Sequence, residues 1–229
     1  MMWQTPWKAF LQSRCIAPIW LMMLFMKQFA IIKIRRNNFK KMAYRFTPNL
    51  MFPIGNFRNI VSGFGEMNIY DKKLWGKHLG IDIAAPNETK VFSIGRGVVV
   101  YSKLHPGEFS EDGKKILKRN WGGIVIIAHK DPQTKKKFYS VYGHLGKRYV
   151  KRGDAVEMGG LIGLIGKSMS ESNGIWKSEH LHFGIYIGPF HGKVLPGYFK
   201  EDSKVATDPD LWKEPISFIK SYNPRNIHI

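Results

Sequence analysis

The chain has little cysteine, few acidic residues and no long apolar run. Cys15 is the one cysteine among 229 residues, so an internal disulfide is excluded. Aspartate and glutamate total 17 against 36 lysines and arginines, which gives a formal net charge of +19. A chain this basic is attracted to polyanions. However, no nucleic-acid-binding motif is present and the lysines are spread along the chain, so specific nucleic-acid recognition is not expected.

The most apolar stretch lies in an N-terminal segment, residues 1–45. It reads CIAPIWLMMLFM over residues 15–26, about a dozen residues, whereas a membrane-spanning helix needs about 20. Six lysines and arginines follow it before residue 42, and this charge resists export of that side. We therefore expect residues 1–45 to be a signal or an anchor that associates with a membrane through residues 15–34, or a stretch upstream of a natural start such as Met42.

Short apolar segments separated by glycine-rich turns fill the rest of the chain. They are rich in β-branched and aromatic residues and have no long helical period: VFSIGRGVVVYSK, GGIVIIAHKD, KKFYSVYGHL, GLIGLIG and LHFGIYIG. This pattern predicts a mostly β, antiparallel architecture. We expect residues 46–215 to form one domain and residues 216–229 a C-terminal tail. A polar insertion, residues 103–121, and a loop, residues 168–179, interrupt the pattern.

Two short motifs about a hundred residues apart together supply enough nitrogen and oxygen donors to hold one zinc ion. They are HxxxD at His78 and Asp82, and HxH at His180 and His182. Hydrolytic zinc sites use three protein ligands, mostly imidazoles with one carboxylate, and leave one position open. His78, Asp82 and one histidine of the later pair supply that set. Because either motif arises often by chance, only their combination indicates a metal site.

The spacing of each motif constrains its conformation. The sequence HLHFGIYIG is typical of a strand, on which His180 and His182 share one face while Leu181 and Phe183 point into the core. In a straight strand the Cα atoms of His78 and Asp82 would be about 13 Å apart, too far for two ligands of one ion. We therefore expect a bend or bulge near Gly80, with His78 on the incoming loop and Asp82 on the strand.

The motifs also match a known family in order. The runs SGFGEMNIYDKKLWGKHLGIDIAAP, YGHL, VKRGDAVEMGGLIGLIG and HLHFG resemble the M23, or LytM and lysostaphin-type, zinc metallopeptidases, over about residues 53 to 210. The resemblance implies an antiparallel β-sandwich or split barrel with a groove. It also implies cleavage of peptide bonds in bacterial peptidoglycan, and therefore an enzyme of the cell envelope or extracellular space. We expect the protein to be a monomer.

The resemblance further assigns roles to residues. It implies that His78, Asp82 and His182 bind Zn²⁺ and that His144 and His180 form the catalytic pair. Tyr70 is the one tyrosine near the place where some members carry a tyrosine beside the oxyanion. Degenerate members that only bind wall peptides or activate a hydrolase lack one or more of these residues. Because all five positions are filled here, we expect catalysis.

Two further aromatic side chains have alternative interpretations. His129, at the end of GGIVIIAH, is expected to cap a strand rather than to bind metal. Trp176, in the loop before HxH, either lines the cleft or is an exposed loop tryptophan that packs on its own neighbours. The sequence leaves the second choice open.

Overall fold

The computed structural model describes Met26 and residues 46–70, 73–131, 133–200 and 208–222. The predicted N-terminal segment 1–45, including residues 15–34, lies outside this range apart from Met26. Within the described residues no helix is both long enough and apolar enough to cross a bilayer. All elements named below belong to the unit Lys40–Ile229.

Strands dominate this unit. They are β1 (Ile60–Ser62), β2 (Met67–Tyr70), β3 (Lys73–His78), β4 (Ile81–Ala84), β5 (Lys90–Phe92), β6 (Gly97–His105), β7 (Glu108–Phe109), β8 (Ile116–Lys118), β9 (Gly122–Lys130), β10 (Lys137–Gly143), β11 (Leu145–Arg148), β12 (Ala155–Val156), β13 (Leu161–Ile165), β14 (His180–Tyr186), β15 (Tyr198–Phe199) and β16 (Trp212–Lys213). Helix α1 (Pro215–Ser221) follows, and 3-10 turns lie at Glu171–Asn173 and Pro209–Leu211.

One large sheet organises the domain. Its strand order is β1-β4-β14-β10-β9-β6-β12, and β16 also pairs with β14. Smaller sheets have the orders β11-β13-β5, β15-β3-β2 and β7-β8. Every strand pair in the described part of the chain is antiparallel. The predicted mostly β, antiparallel architecture is therefore confirmed.

The large sheet is buried on both faces along its central strands. On β9, Val125 and Ile127 belong to one apolar cluster, whereas Ile124 and Ile126 belong to a second. Successive side chains of a strand point to opposite faces, so a continuous apolar run serves two cores at once. The first cluster lies between the large sheet and residues of the β11-β13-β5 sheet, including Val91 and Ile162. The second lies on the opposite face.

Strand β14 separates apolar from polar side chains in the same way. Leu181 and Phe183 are fully buried in the first cluster, as their spacing predicts. His180 and His182 alternate with them and therefore face the other side of the sheet. The two histidines thus lie next to the second apolar cluster, on the face that carries the candidate site.

The C-terminal residues contribute to the core. The expected tail, residues 216–229, begins inside helix α1, which Glu214 caps through bonds to the backbone N–H groups of Ile216 and Ser217. Ile219 is buried in the first cluster, and Phe218 packs against it. A capped helix with an apolar side chain pointing inward has a stable docking position against the first cluster.

Candidate metal centre

Three strands bring the predicted metal ligands together. His78 is the last residue of β3, Asp82 is the second residue of β4, and His182 lies opposite Asp82 in the β14–β4 ladder. The chain bends at Leu79 and Gly80 between the first two, as expected. However, His78 lies on a strand rather than on a loop, and it is paired with Tyr198 of β15. This pairing holds His78 in the β15-β3-β2 sheet and thereby fixes its position relative to Asp82 and His182 in the large sheet.

Gly80 is required at this bend. A Cβ atom there would lie 2.6 Å from the carbonyl oxygen of Phe183 and 2.7 Å from Nε2 of His182. Both distances are far below ordinary van der Waals contact. A side chain at this position would therefore push β14, and His182 with it, away from the bend.

The three predicted ligands converge through one donor atom each. Nε2 of His78 lies 3.0 Å from Nδ1 of His182 and 3.2 Å from Oδ1 of Asp82, and the latter two atoms are 3.0 Å apart. Ligands of a tetrahedral zinc ion, at 2.0 to 2.2 Å from it, are about 3.3 Å from one another. The triangle therefore has the size and the donor chemistry of a zinc site with one position left open.

Hydrogen bonds on the outer side of His78 set its orientation. Its Nδ1 lies 3.0 Å from the carbonyl oxygen of Gly63 and 3.1 Å from Oγ of Ser62. A carbonyl oxygen only accepts, so Nδ1 carries the proton. The lone pair of Nε2 then points toward the other two predicted ligand atoms, Nδ1 of His182 and Oδ1 of Asp82. Such outer partners are a regular feature of metal-binding histidines because they fix the tautomer and the ring position.

Burial and hydrogen bonding keep these groups in the states that bind cations. Burial would raise the pKa of the Asp82 carboxyl, but hydrogen bonds and charge interactions with His182 and His78 outweigh it and hold the pKa well below its ordinary value. Burial lowers the pKa of His182 to about 4, against the opposing effect of Asp82. At neutral pH the carboxylate is therefore ionised and the imidazole neutral, which metal binding requires.

The predicted catalytic pair lies beside this triangle. The ring centroids of His144 and His180 are 4.5 Å apart, and Nε2 of His180 is 4.0 Å from Oδ2 of Asp82. Nδ1 of His144 lies 3.0 Å from the carbonyl oxygen of Asn173, and Nδ1 of His180 lies 3.1 Å from that of Ser178. Both rings therefore carry the proton on Nδ1 and keep an Nε2 lone pair. Burial lowers the pKa of His144 well below its ordinary value, and the charge interaction with the nearby His180 lowers it further.

His144 has an unusual backbone. It links β10 to β11 with a φ of 62°, a left-handed conformation that non-glycine residues rarely adopt. Its N–H donates to the carbonyl oxygen of Trp121, and its own carbonyl accepts from Gly166 N–H. These two bonds hold the residue in place, so the ring is aimed from a fixed main chain.

Aromatic side chains form the walls of the site, and of these the sequence singled out only Trp176. A cavity of about 110 Å³ adjoins His144 and His182 and is lined by Trp75, Trp121, Trp176 and Tyr198, among others. The Tyr198 ring stacks on His78 at 5.1 Å between centroids. Burial and the Asp82 charge raise the pKa of Tyr198, so its hydroxyl stays protonated.

The structure also places the ambiguous aromatic residues. Trp176 lines the cavity, as the first interpretation expects, and it is largely buried, so the alternative of an exposed loop tryptophan is wrong. Tyr70 ends β2, and its side chain lies outside the described part of the chain. His129 is buried within β9, where its Nδ1 bonds to the main-chain carbonyl of Arg96 and its Nε2 to the hydroxyl of Ser140. It therefore lies inside a strand rather than capping one.

Comparison with known proteins links this geometry to a family. The model of peptidase family M23 matches residues 76–195. An uncharacterized metalloprotease of Buchnera aphidicola is 30% identical over 179 residues, 78% of this chain and 33% of that protein. The peptidoglycan DD-endopeptidase ShyA of Vibrio cholerae is 29% identical over 137 residues, 59% of this chain and 26% of that protein. The chain thus spans about a quarter to a third of the length of these relatives.

A solved structure is similar as well. A zinc-containing peptidase from Vibrio cholerae is 27% identical, covers 61% of this chain and 36% of its own, and superposes with a TM-score of 0.45. The family match covers more than half of the chain and includes every residue of the metal triangle and of the histidine pair. The chain therefore belongs to peptidase family M23.

Proposed function

We propose that the protein is a zinc-dependent endopeptidase that hydrolyses peptide bonds of bacterial peptidoglycan and acts at the cell envelope or outside the cell. One observation carries the proposal: three donor atoms lie within 3.0 to 3.2 Å of one another, and two more imidazoles lie next to them. The relative named a peptidoglycan DD-endopeptidase supports the substrate class.

The residues of the chain divide the chemistry between them. His78, Asp82 and His182 would hold the ion. When bound there, zinc supplies Lewis acidity toward a carbonyl group and lowers the pKa of a water molecule. His144 and His180 present Nε2 lone pairs on the same side, so one of them can accept a proton from water and later return it to the leaving amine.

The surroundings of the site support peptide cleavage. The aromatic walls replace polar surroundings with apolar ones on one side of the triangle, which strengthens electrostatic interactions at the reacting bond. The hydroxyl of Tyr198, kept protonated by its surroundings, can donate a hydrogen bond to charge that develops on a substrate oxygen. The net charge of +19 favours retention on walls that carry anionic polymers.

Digestion of isolated cell walls tests the proposal. Purified protein is assayed for zinc content and for loss of wall turbidity, with and without a chelator, and released fragments are identified by mass spectrometry. We expect zinc-dependent release of peptide fragments with new amino termini. Protein that contains zinc and binds walls but leaves them intact would instead be a non-catalytic wall-binding relative. Protein that neither holds zinc nor cleaves walls would overturn the proposal.

A further inference from the structure

We propose that Asn173 is a positioning residue that orients His144 and His180 together from one loop. In its kinetic part, this inference rests on the proposed peptidase function. Asn173 ends the 3-10 turn Glu171–Asn173 and is fully buried. It lies in the loop before β14, where its main-chain carbonyl contacts His144 directly and its side-chain amide is linked to His180 through the carbonyl of Ser178.

The first contact is direct. The carbonyl oxygen of Asn173 accepts a hydrogen bond from Nδ1 of His144 at 3.0 Å. Because the acceptor is a main-chain atom, the position of the whole turn determines where the His144 ring lies.

The second contact runs through one intermediate carbonyl. Nδ2 of Asn173 donates to the carbonyl oxygen of Ser178 at 3.1 Å, and the same oxygen accepts from Nδ1 of His180 at 3.1 Å. The amide therefore holds the group that fixes the tautomer of His180. The other side-chain atom, Oδ1, accepts from the backbone N–H of Trp176 at 2.7 Å, so the amide orientation is determined on both sides.

The turn itself is held firmly. Oγ of Ser170 accepts from the Asn173 N–H, and Gly174 closes the turn with a φ of 75°. A Cβ on Gly166 would lie 3.0 Å from Cβ of Asn173, and one on Gly122 would lie 2.0 Å from the carbonyl oxygen of Ser172. The turn thus packs directly against the main chain near β9 and β13, which leaves it little freedom to shift.

Asn173 makes no hydrogen bond to the three predicted metal ligands, which lie on strands β3, β4 and β14, one on each. Loss of its amide should therefore disturb proton transfer and leave metal binding intact. General acid–base catalysis depends on placing the base within hydrogen-bond reach of the proton. A displaced His180 then lowers kcat with little effect on KM.

Asn173→Asp isolates the side-chain contact. It keeps an acceptor for Trp176 N–H but turns a carboxylate oxygen toward the Ser178 carbonyl, which also only accepts. We expect kcat to fall about 100-fold, KM to stay within about threefold, and zinc to remain near one per chain. Asn173→Ser, which is small and neutral, should show the same division. Ser172→Ala removes a hydroxyl from the same turn without touching either histidine and should leave kcat within about threefold of wild type.

A spectroscopic measurement separates this inference from the proposed function. Two-bond ¹H–¹⁵N correlations of the zinc-loaded wild-type protein should show both His144 and His180 protonated on Nδ1, and Asn173→Asp should change the pattern of His180. This holds whether or not the protein cleaves walls. Wild-type spectra with either ring protonated on Nε2 would overturn the inference, as would a folded Asn173→Asp variant with unchanged His180 signals or unchanged kcat.

Discussion

The large sheet carries buried histidines on both faces, and the two faces treat them differently. On one face His129 stacks on Phe138 of the first apolar cluster, and both ring nitrogens are paired, Nδ1 at 2.9 Å from the Arg96 carbonyl and Nε2 at 2.7 Å from Oγ of Ser140. On the other face lies His180, close to His78 of β3 and to His144 of the β10–β11 link, and all three have Nδ1 bonded to a carbonyl oxygen. Their Nε2 atoms are left for the site.

Burial alone does not distinguish the histidines of the two faces, but the pairing of their ring nitrogens does. Burial lowers the pKa of His129 to about 4, as it does that of His182, so these two imidazoles on opposite faces are both neutral at pH 7. A fully paired ring satisfies its own hydrogen bonds and contributes to stability. A ring that keeps one lone pair beside other such rings has donors to offer to an ion or a substrate. The second face therefore carries chemistry that the first does not.

Replacing a metal ligand should have the largest effect. His78→Ala or His182→Ala removes one of three converging donors, so zinc content should fall to near zero and wall digestion should be lost. Metal analysis and turbidity assays measure both. The matched control is His191→Ala, since His191 is exposed and should keep zinc and activity. Retained zinc in either ligand variant would contradict the ligand assignment.

Replacing the histidine pair should separate binding from turnover. His144→Ala and His180→Ala leave the triangle intact, so zinc should stay near one per chain while kcat falls by about 10² to 10⁴. Steady-state kinetics on a defined wall peptide, together with metal analysis, give both quantities. Loss of zinc from these variants would mean that the pair supports the metal rather than the proton transfers.

His129, whose ring nitrogens are both paired, should make the free energy of unfolding depend on pH. Its pKa of about 4 lies below the unfolded value of about 6.5, so the unfolded state binds the proton more tightly. The contribution of His129 is therefore complete above pH 6.5 and is lost as the pH falls toward 4, by about 3 kcal/mol. Urea unfolding of the zinc-loaded wild type should show this loss between pH 7 and 4.

His129→Asn keeps a donor for the Arg96 carbonyl and cannot titrate in this range. Its free energy of unfolding should therefore depend less on pH over the same interval. Equal slopes in the two proteins would show that His129 is protonated in the folded state.

The outer partner of His78 should have the smallest effect. Ser62→Ala removes one of two groups near Nδ1 and leaves the Gly63 carbonyl, so zinc affinity should fall by about tenfold or less. Competition with a chromogenic chelator measures it. Ser221→Ala, on helix α1 and remote from the metal centre, serves as the control and should leave the affinity unchanged.

The parts of the site on regular strands were predictable from the sequence. The alternation in HLHFG correctly divides Leu181 and Phe183 from His180 and His182, because the strand period is two. The distance argument for HxxxD correctly requires a bend at Gly80. Its one error concerns His78, whose strand pairs with β15 far along the chain, and no local pattern reveals that pairing.

The walls and the loop of the site were not predictable in the same way. Tyr198 reaches His78 from a strand of two residues, too short to have a period. Trp121 belongs to a segment expected to be a polar insertion, yet its ring lies 4.8 Å from that of His182. Asn173 precedes a glycine, and this pair is typical of turns. Its role, however, depends on where the fold places His144 and Ser178. Contacts of this kind arise only from the assembled fold.

The tryptophans around the cavity give the protein an intrinsic optical reporter. Three of its seven indoles, those of Trp75, Trp121 and Trp176, line the space beside the predicted ligands. Their emission responds to the charge and polarity of that space, so occupancy of the centre should be readable as a change in fluorescence without any added dye. Titrations and stopped-flow mixing can therefore follow loading on the unmodified chain.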